Sequence, residues 1–267
     1  MTWDVSPIAF TLSFGQFHYS AHWYGLLFAS TFVYGTLFFR WLYRREGRPE
    51  DEVYDLALYV IGGTVLGARL GHVLFYQPGF YLSHPWKIPA VWEGGLASHG
   101  AVAGILLGVW LYARRATDQS FLWVCDRIGM AVPLSGALIR IGNFFNSEIL
   151  GRATDVPWAV VFSRVDLVPR HPVQLYEALG YLLIFLFQFR YYLKRGDAGP
   201  EGYLFGRFFV LVFGARFFLE FFKEGQAEFD SGWAITLGQW LSLPAVAFGL
   251  FLIWRARRAD RPVPTMG

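Results

Sequence analysis

Apolar residues fall into seven long runs separated by shorter polar connections. The runs cover about 18–39, 53–75, 96–113, 120–140, 174–193, 201–222 and 236–254. Each approaches the roughly 20 mostly apolar residues that a membrane-spanning helix needs. The most interrupted is 120–140, with Asp126, Arg127 and Pro133 inside it. Two connections are long, 76–95 and 141–173, and the second holds the densest set of polar residues in the chain. A connection of that length usually carries a function. The pattern predicts an all-α polytopic membrane protein with about seven transmembrane helices. It would form one helical domain over 1–256, with 144–173 as an extracytoplasmic segment within it and a basic tail at 257–267. The arm 1–17 mixes Trp, Ile, Phe and Leu with few charges, a composition suited to a membrane surface.

Composition agrees with the pattern. Of 267 residues 55% are hydrophobic and 16% charged, with 27 Phe, 14 Tyr and 11 Trp. A soluble domain carries about 25% charged residues. Disorder is excluded by the same figures, and a disulfide scaffold by the single cysteine, Cys125. A net charge of +3 leaves no footprint for nucleic acid. The first Lys or Arg is Arg40, so a basic leader region is missing and the first run itself would direct insertion.

The basic residues orient the bundle. Arg40, Arg44, Arg45 and Arg48 follow run 1, and Arg114 and Arg115 follow run 3. Arg190, Lys194 and Arg195 follow run 5, and Arg255, Arg257, Arg258 and Arg261 follow run 7. These are 13 of the 23 basic residues, and the alternate connections hold five: Lys87, Arg152, Arg164, Arg170 and Lys223. Positive residues stay inside, which puts the N-terminus outside and the C-terminus in the cytoplasm.

Five basic residues lie within runs: Arg69, Arg127, Arg140, Arg207 and Arg216. A charge at a helix centre costs about 2.5–3.5 kcal/mol on insertion, so each is a functional candidate. In the predicted orientation Tyr24, Arg69, His72, Ser98, His99, Arg140, Asn143, Arg216, Glu220 and Lys223 converge at the outer leaflet. Arg216, Glu220 and Lys223 are spaced i, i+4, i+7 and would share a helix face. One reading is a salt bridge between packed helices. The other is that Glu220 orients Arg216 towards an anion, with Arg140 and Asn143 facing the same cavity. Surplus guanidinium charge suits a phosphate, and at that level a phospholipid headgroup. His99 is a structural residue at a helix start or a general base, and Tyr24 an interfacial ring or a hydrogen-bond donor to the pocket.

Other chemistry has little support. Cys125 reads as a packing residue. Neither HExxH nor CxxC occurs, so no metal or cofactor is expected, and no GxSxG elbow occurs. Gly62, Gly63, Gly67 and Gly71 read as a close helix-packing face. Asp126 and Arg127 read as a local pair, and Arg207 as a snorkelling side chain. A transporter would also hold intramembrane charges, but these do not form a path across and no inverted repeat is evident. A lipid-binding scaffold is the second alternative.

The stretch from Arg140 to Arg152, RIGNFFNSEILGR, resembles the prolipoprotein diacylglyceryl transferase signature R-x-x-N-F-x-N-x-E-x-x-G at every fixed position. Trp23-Tyr24-Gly25, Ala68-Arg69-Leu70-Gly71-His72, Ser98-His99-Gly100, the block from His171 to Glu177 and the block from Arg216 to Lys223 also resemble family blocks. The resemblance implies transfer of a diacylglyceryl group from phosphatidylglycerol to the lipobox cysteine in the signal peptide of a preprolipoprotein. A thioether forms and glycerol phosphate leaves. It implies a bacterial cytoplasmic (inner) membrane location, with the active site towards the outer leaflet. The family's important residues fall here on Tyr24, His99, Arg140, Asn143, Glu148, Gly151, Arg216 and Glu220. The expected catalytic set is His99, Arg140, Arg216 and Tyr24. The expected substrate-binding set is Arg140, Asn143, Asn146, Glu148, Gly151, Arg216, Glu220, Arg69 and Lys223. Either His99 takes the thiol proton or the positive field alone lowers the thiol pKa. The connection 144–173 would dock the peptide. Two positions depart from the family: Ala101 where a second Gly is common, and Lys223 where Arg is common. Lys keeps the charge without the bidentate fork.

Overall fold

The computed structural model describes residues 1–15, 17–225 and 235–260. Gln16, 226–234 and 261–267 lie outside the described residues, and with them Arg261 and most of the predicted tail. All seven apolar runs are long helices: α1 (Trp23–Arg45), α2 (Asp51–Phe75), α4 (Ser98–Arg115), α5 (Phe121–Asn146), α6 (Val173–Arg195), α7 (Tyr203–Leu219) and α8 (Leu237–Ala259). A short α3 (Pro78–Ser83) and two 3₁₀ turns occupy the first long connection. Among the described residues four helices, α1, α2, α5 and α8, are long and apolar enough to cross a membrane. Their outward faces are apolar, with Val33, Leu58, Leu66 and Leu250 exposed. In a soluble protein such faces would be covered. The chain is a polytopic membrane protein.

The helix that carries most of the candidate residues, α5, is longer than expected. Predicted to end near 140, it runs through Pro133 and on to Asn146. Arg140, Asn143 and Asn146 therefore all ride its last turns. The N-terminal arm forms strands. It holds β1 (Thr2–Trp3) and a hairpin of β2 (Ile8–Phe14) and β3 (Phe17–His22), with Thr11 opposite Ser20. β4 (Val160–Phe162) and β5 (Pro169–Arg170) complete the strands. These small sheets add to the helical fold, and strands of two to seven residues leave little alternation to read.

Two compact units divide the chain: Thr36–Cys125, and Met1–Gly35 with Asp126–Gly267. In the first of these, α2 and α4 touch backbone to backbone. A Cβ at Gly67 would strike the carbonyl oxygen of Gly100, and one at Gly71 would come within 2.8 Å of Gly100 Cα. Gly63 meets Gly104 in the same way, whereas Gly62 faces open space and is no part of the contact. Such small-residue faces let helices approach where lipid offers no hydrophobic drive.

In the second unit α5, α6 and α7 share a core of Ala137, Ala178, Tyr181 and Ile184, packed against Leu211 and Ala215. β1 pairs in parallel with β4, and β4 antiparallel with β5. Trp3 and Leu150 pack on Phe144, Val160 and Phe162, which ties the arm to the end of α5. Two charged residues of the apolar runs gain further partners here. Asp126, fully buried, accepts hydrogen bonds from the Gly202 (2.7 Å) and Phe205 (2.8 Å) backbone N–H groups. It caps α7 from a neighbouring helix, because Gly202 at the cap position has no side chain to do so. Arg207, in the second turn of α7, lies among aromatic rings. Its guanidinium lies 4.5 Å from the ring centroids of Phe187 and Tyr191.

Candidate active site at the ends of α5, α6 and α7

The end of α5 is built by an unusual turn. Ser147 has φ 57° and Ile149 has φ 56°, left-handed values that cost a non-glycine residue about 1–3 kcal/mol. The Glu148 N–H reaches back to the Asn143 carbonyl at 3.0 Å, closing the helix end. Surrounding residues hold the turn. Arg164 Nη2 donates to the Phe145 carbonyl at 2.7 Å, and Gln174 Nε2 to the Glu148 carbonyl at 2.6 Å. The result folds the Glu148 carboxylate back over the helix. It accepts from Asn143 Nδ2 at 3.0 Å and from Asn146 Nδ2 at 3.1 Å. Asn143 Oδ1 in turn accepts from Arg140 Nη1 at 3.2 Å. The spacing R-x-x-N-x-x-N-x-E is thus one hydrogen-bonded set. Helical turns at i, i+3 and i+6 supply three members, and the left-handed turn returns the fourth.

Gly151 contributes space. A Cβ there would collide with the His171 carbonyl oxygen. The close approach lets Gly151 bridge antiparallel to Lys223, with Arg152 N–H donating to the Phe222 carbonyl at 2.8 Å. That bridge carries Lys223 inward, where it is 4% exposed.

Lys223 and Arg140 meet on a residue to which sequence reasoning gave no role. Glu177, in the second turn of α6, is fully buried. Its Oε2 is 2.8 Å from Arg140 Nε and its Oε1 is 2.9 Å from Lys223 Nζ. The available signal was an acid inside an apolar run, one turn after Gln174.

The expected partnership of Glu220 with Arg216 is replaced. α7 ends at Leu219 and a 3₁₀ turn covers Glu220–Phe222. A 3₁₀ turn eclipses positions i and i+3, so Glu220 meets Lys223, at 3.1 Å. Its carboxylate also lies against Gly238 in the first turn of α8, the positive end of that helix. The Arg216 side chain makes no hydrogen bond or ion pair with any other described residue. Tyr181 on α6 is within electrostatic range of both Arg140 and Arg216. The expected surplus of guanidinium over carboxylate is therefore smaller than predicted, since Glu177 adds an acid, and it rests on Arg216.

Tyr24, half-buried in the first turn of α1, packs on Gly142 between Arg140 and Asn143. A Cβ on Gly142 would come within 2.9 Å of the ring. This unit therefore gathers Tyr24, Arg140, Asn143, Asn146, Glu148, Gly151, Glu177, Arg216, Glu220 and Lys223.

The other unit holds Arg69, His72 and His99. Arg69 is 3% exposed and donates to four backbone carbonyls: Lys87 (2.6 Å), Ile88 (2.7 Å), Gly94 (2.5 Å) and Gly95 (3.2 Å). Those bonds occupy four of its five N–H groups, which is the pattern of a residue that shapes the 87–95 connection. His99 is exposed in the first turn of α4. Its ring stacks on Tyr76 at 5.7 Å and meets Phe75 edge-on at 5.6 Å.

Comparison with known proteins gives a consistent picture. A family model described as prolipoprotein diacylglyceryl transferase matches residues 7–255. A phosphatidylglycerol–prolipoprotein diacylglyceryl transferase of Chloroherpeton thalassium is 49% identical over 254 residues, 95% of this chain and 93% of the relative. The protein of that name from Tolumonas auensis is 47% identical over 94% of this chain and 95% of its own length. The Bacteroides fragilis protein is 39% identical over 95% of this chain and 94% of its own length.

Proposed function

The chain belongs to the prolipoprotein diacylglyceryl transferase family, and we propose that it works at the cluster where α5, α6 and α7 bring Arg140, Glu177, Lys223 and Arg216 together. It is a transferase that moves the diacylglyceryl group of phosphatidylglycerol to a prolipoprotein. The acceptor is the lipobox cysteine thiol of the signal peptide. Its sulfur forms a bond to the glycerol carbon as the bond from that carbon to the phosphate oxygen breaks. The thiol proton is lost and glycerol phosphate leaves.

Two charges govern that step: a thiolate must form and a phosphate ester must depart. Arg216 is the observation that carries the assignment. It is half-buried in a membrane helix with no counter-ion among the described residues, and a bound phosphate would supply one. Arg140 is fixed by Glu177 and Asn143 and adds a second guanidinium already oriented for the leaving oxygen. Fixed positive groups aimed where negative charge develops usually lower a barrier more than any other device an enzyme has. Asn143, Asn146 and Glu148 hold Arg140 and the headgroup in register. Tyr24 closes the side of the site against Gly142. The thiol proton has two candidate fates: His99, whose exposed ring has no hydrogen-bond partner among the described residues, takes it, or the positive field alone lowers the thiol pKa and His99 is structural. Arg69 positions the 87–95 connection, and Gly151 spaces the bridge with Lys223.

The setting is a bacterial inner membrane crossed by all seven long helices, N-terminus outside, with the cluster at the outer leaflet. Three observations support it. The seven apolar runs match seven helices of 17–26 residues. The basic connections alternate. The arm and the 144–173 segment, both expected outside, are joined through β1 and β4.

The test is steady-state transfer from labelled phosphatidylglycerol to a lipobox peptide with Arg216→Ala and Arg216→Lys. Arg216→Ala should lose about 100-fold or more in kcat/KM, the size expected for one oxyanion-type donor, with Arg216→Lys in between. Native turnover in Arg216→Ala would remove Arg216 from the phosphate site.

A further inference from the structure

The other end of α6 and α7 carries a second cationic cleft that the transfer reaction does not use. We propose that this cleft, where the ends of α6 and α8 meet the start of α7, binds the phosphate headgroup of an anionic phospholipid in the opposite leaflet.

The cleft is open and about 480 Å³, within the range of small-ligand sites. Four cations line it: Arg190 and Lys194 of α6, Arg207 of α7 and Arg257 of α8. Among the described residues no carboxylate lines it. None of the four forms an ion pair with a described residue. The nearby acids are engaged elsewhere: Asp197 and Asp260 with Arg195, and Asp126 with the backbone of α7.

Arg207 is the most informative of the four. It is 9% exposed, faces three aromatic rings (Phe187, Tyr191 and Tyr203), and has no anionic partner among the described residues. Aromatic faces offset part of the penalty for a buried cation, and an anion at the cleft would remove the rest. Arg257 lies over the Tyr203 ring at 5.8 Å, so the aromatic floor is shared.

The position fits a lipid. On α6, Glu177 and Lys194 are 17 residues apart, about 25 Å at the helical rise, close to the thickness of a bilayer core. The cleft thus lies near the membrane face opposite the Arg140 cluster, and the basic connections mark that face as cytoplasmic. Apolar grooves flank it. One, along α6, includes Leu186 and Leu193, and the other, along α8, includes Leu250 and Trp254. They provide tracks for acyl chains leaving a headgroup in the cleft. A free phosphate would have no use for them, which favours the lipid source. Basic pockets between helices on this face are the usual form of such sites.

Purified full-length protein in detergent is titrated with cardiolipin, phosphatidylcholine and inorganic phosphate, and bound species are counted by native mass spectrometry. Arg190→Ala, Lys194→Ala, Arg257→Ala and the triple variant are measured alongside. All three residues are solvent-exposed, and thermal unfolding without lipid checks that each variant folds. The expected result is preference for cardiolipin over phosphatidylcholine, with affinity falling about fivefold for each cation removed. Transfer at saturating phosphatidylglycerol should stay near native. Unchanged cardiolipin affinity across the series overturns the proposal. Inorganic phosphate binding as tightly as cardiolipin overturns the lipid assignment and leaves a soluble-anion site. The transfer reading is separate, since it stands or falls on Arg140 and Arg216.

Discussion

Glu177 Oε1 stands 2.9 Å from Lys223 Nζ, with the two side chains 0% and 4% exposed. The pair joins α6 to the segment that follows α7. Because the same carboxylate also holds Arg140 of α5, one buried acid fixes three elements around the proposed site. Glu220 balances the second half of the Lys223 charge.

Lys223→Met should therefore be severe. It leaves Glu177 and Glu220 close together with one cation fewer. Breaking a buried pair by removing one partner costs about 3–5 kcal/mol. Lys223→Arg keeps the charge and should stay close to native stability. Thermal unfolding of the two variants in detergent checks this, and equal Tm values for Lys223→Met and native would contradict it.

Asp126→Ala should lower stability by about 1–3 kcal/mol, the cost of leaving two buried N–H groups of α7 without their acceptor. Since Asp126 lies near the start of α5, far from Arg140 along the helix, KM for phosphatidylglycerol should not move. A changed KM at unchanged Tm would reverse the assignment.

The 144–173 segment should loosen in acid. The Arg170 guanidinium, 2.6 Å from Asp166, holds the Asp166 carboxyl below the usual carboxylate range. Its folded pKa is thus lower than its unfolded one. Its stabilising contribution is complete above the unfolded value and is lost as pH falls through the folded value. Hydrogen exchange in 166–170 should quicken relative to intrinsic rates as the pH falls below about 4. In Asp166→Asn that pH dependence should disappear.

Much of the helical architecture was legible because lipid imposes a simple rule on helices, long apolar stretches. The Arg140 motif was legible too, since its residues lie on successive turns of one helix. What escaped depends on contacts distant in sequence or on local departures from the α-helix. Glu177 is a single acid whose two partners arrive from other elements. The Arg216–Glu220 pairing assumed that α7 continues, and a 3₁₀ turn at Glu220 redirects that carboxylate to Lys223. No glycine marks the left-handed residues Ser147 and Ile149, so the turn that brings Glu148 back has no sequence signal. Arg69 reads like a ligand because intramembrane arginines often are, yet backbone carbonyls satisfy it.

The central claim is that phosphatidylglycerol reacts at Arg140. The direct measurement is transfer of labelled diacylglyceryl from phosphatidylglycerol to a lipobox peptide by the purified native chain and by Arg140→Ala at equal folded yield. Product is expected from the native chain and none detectable from the variant. Equal product from both would contradict the claim.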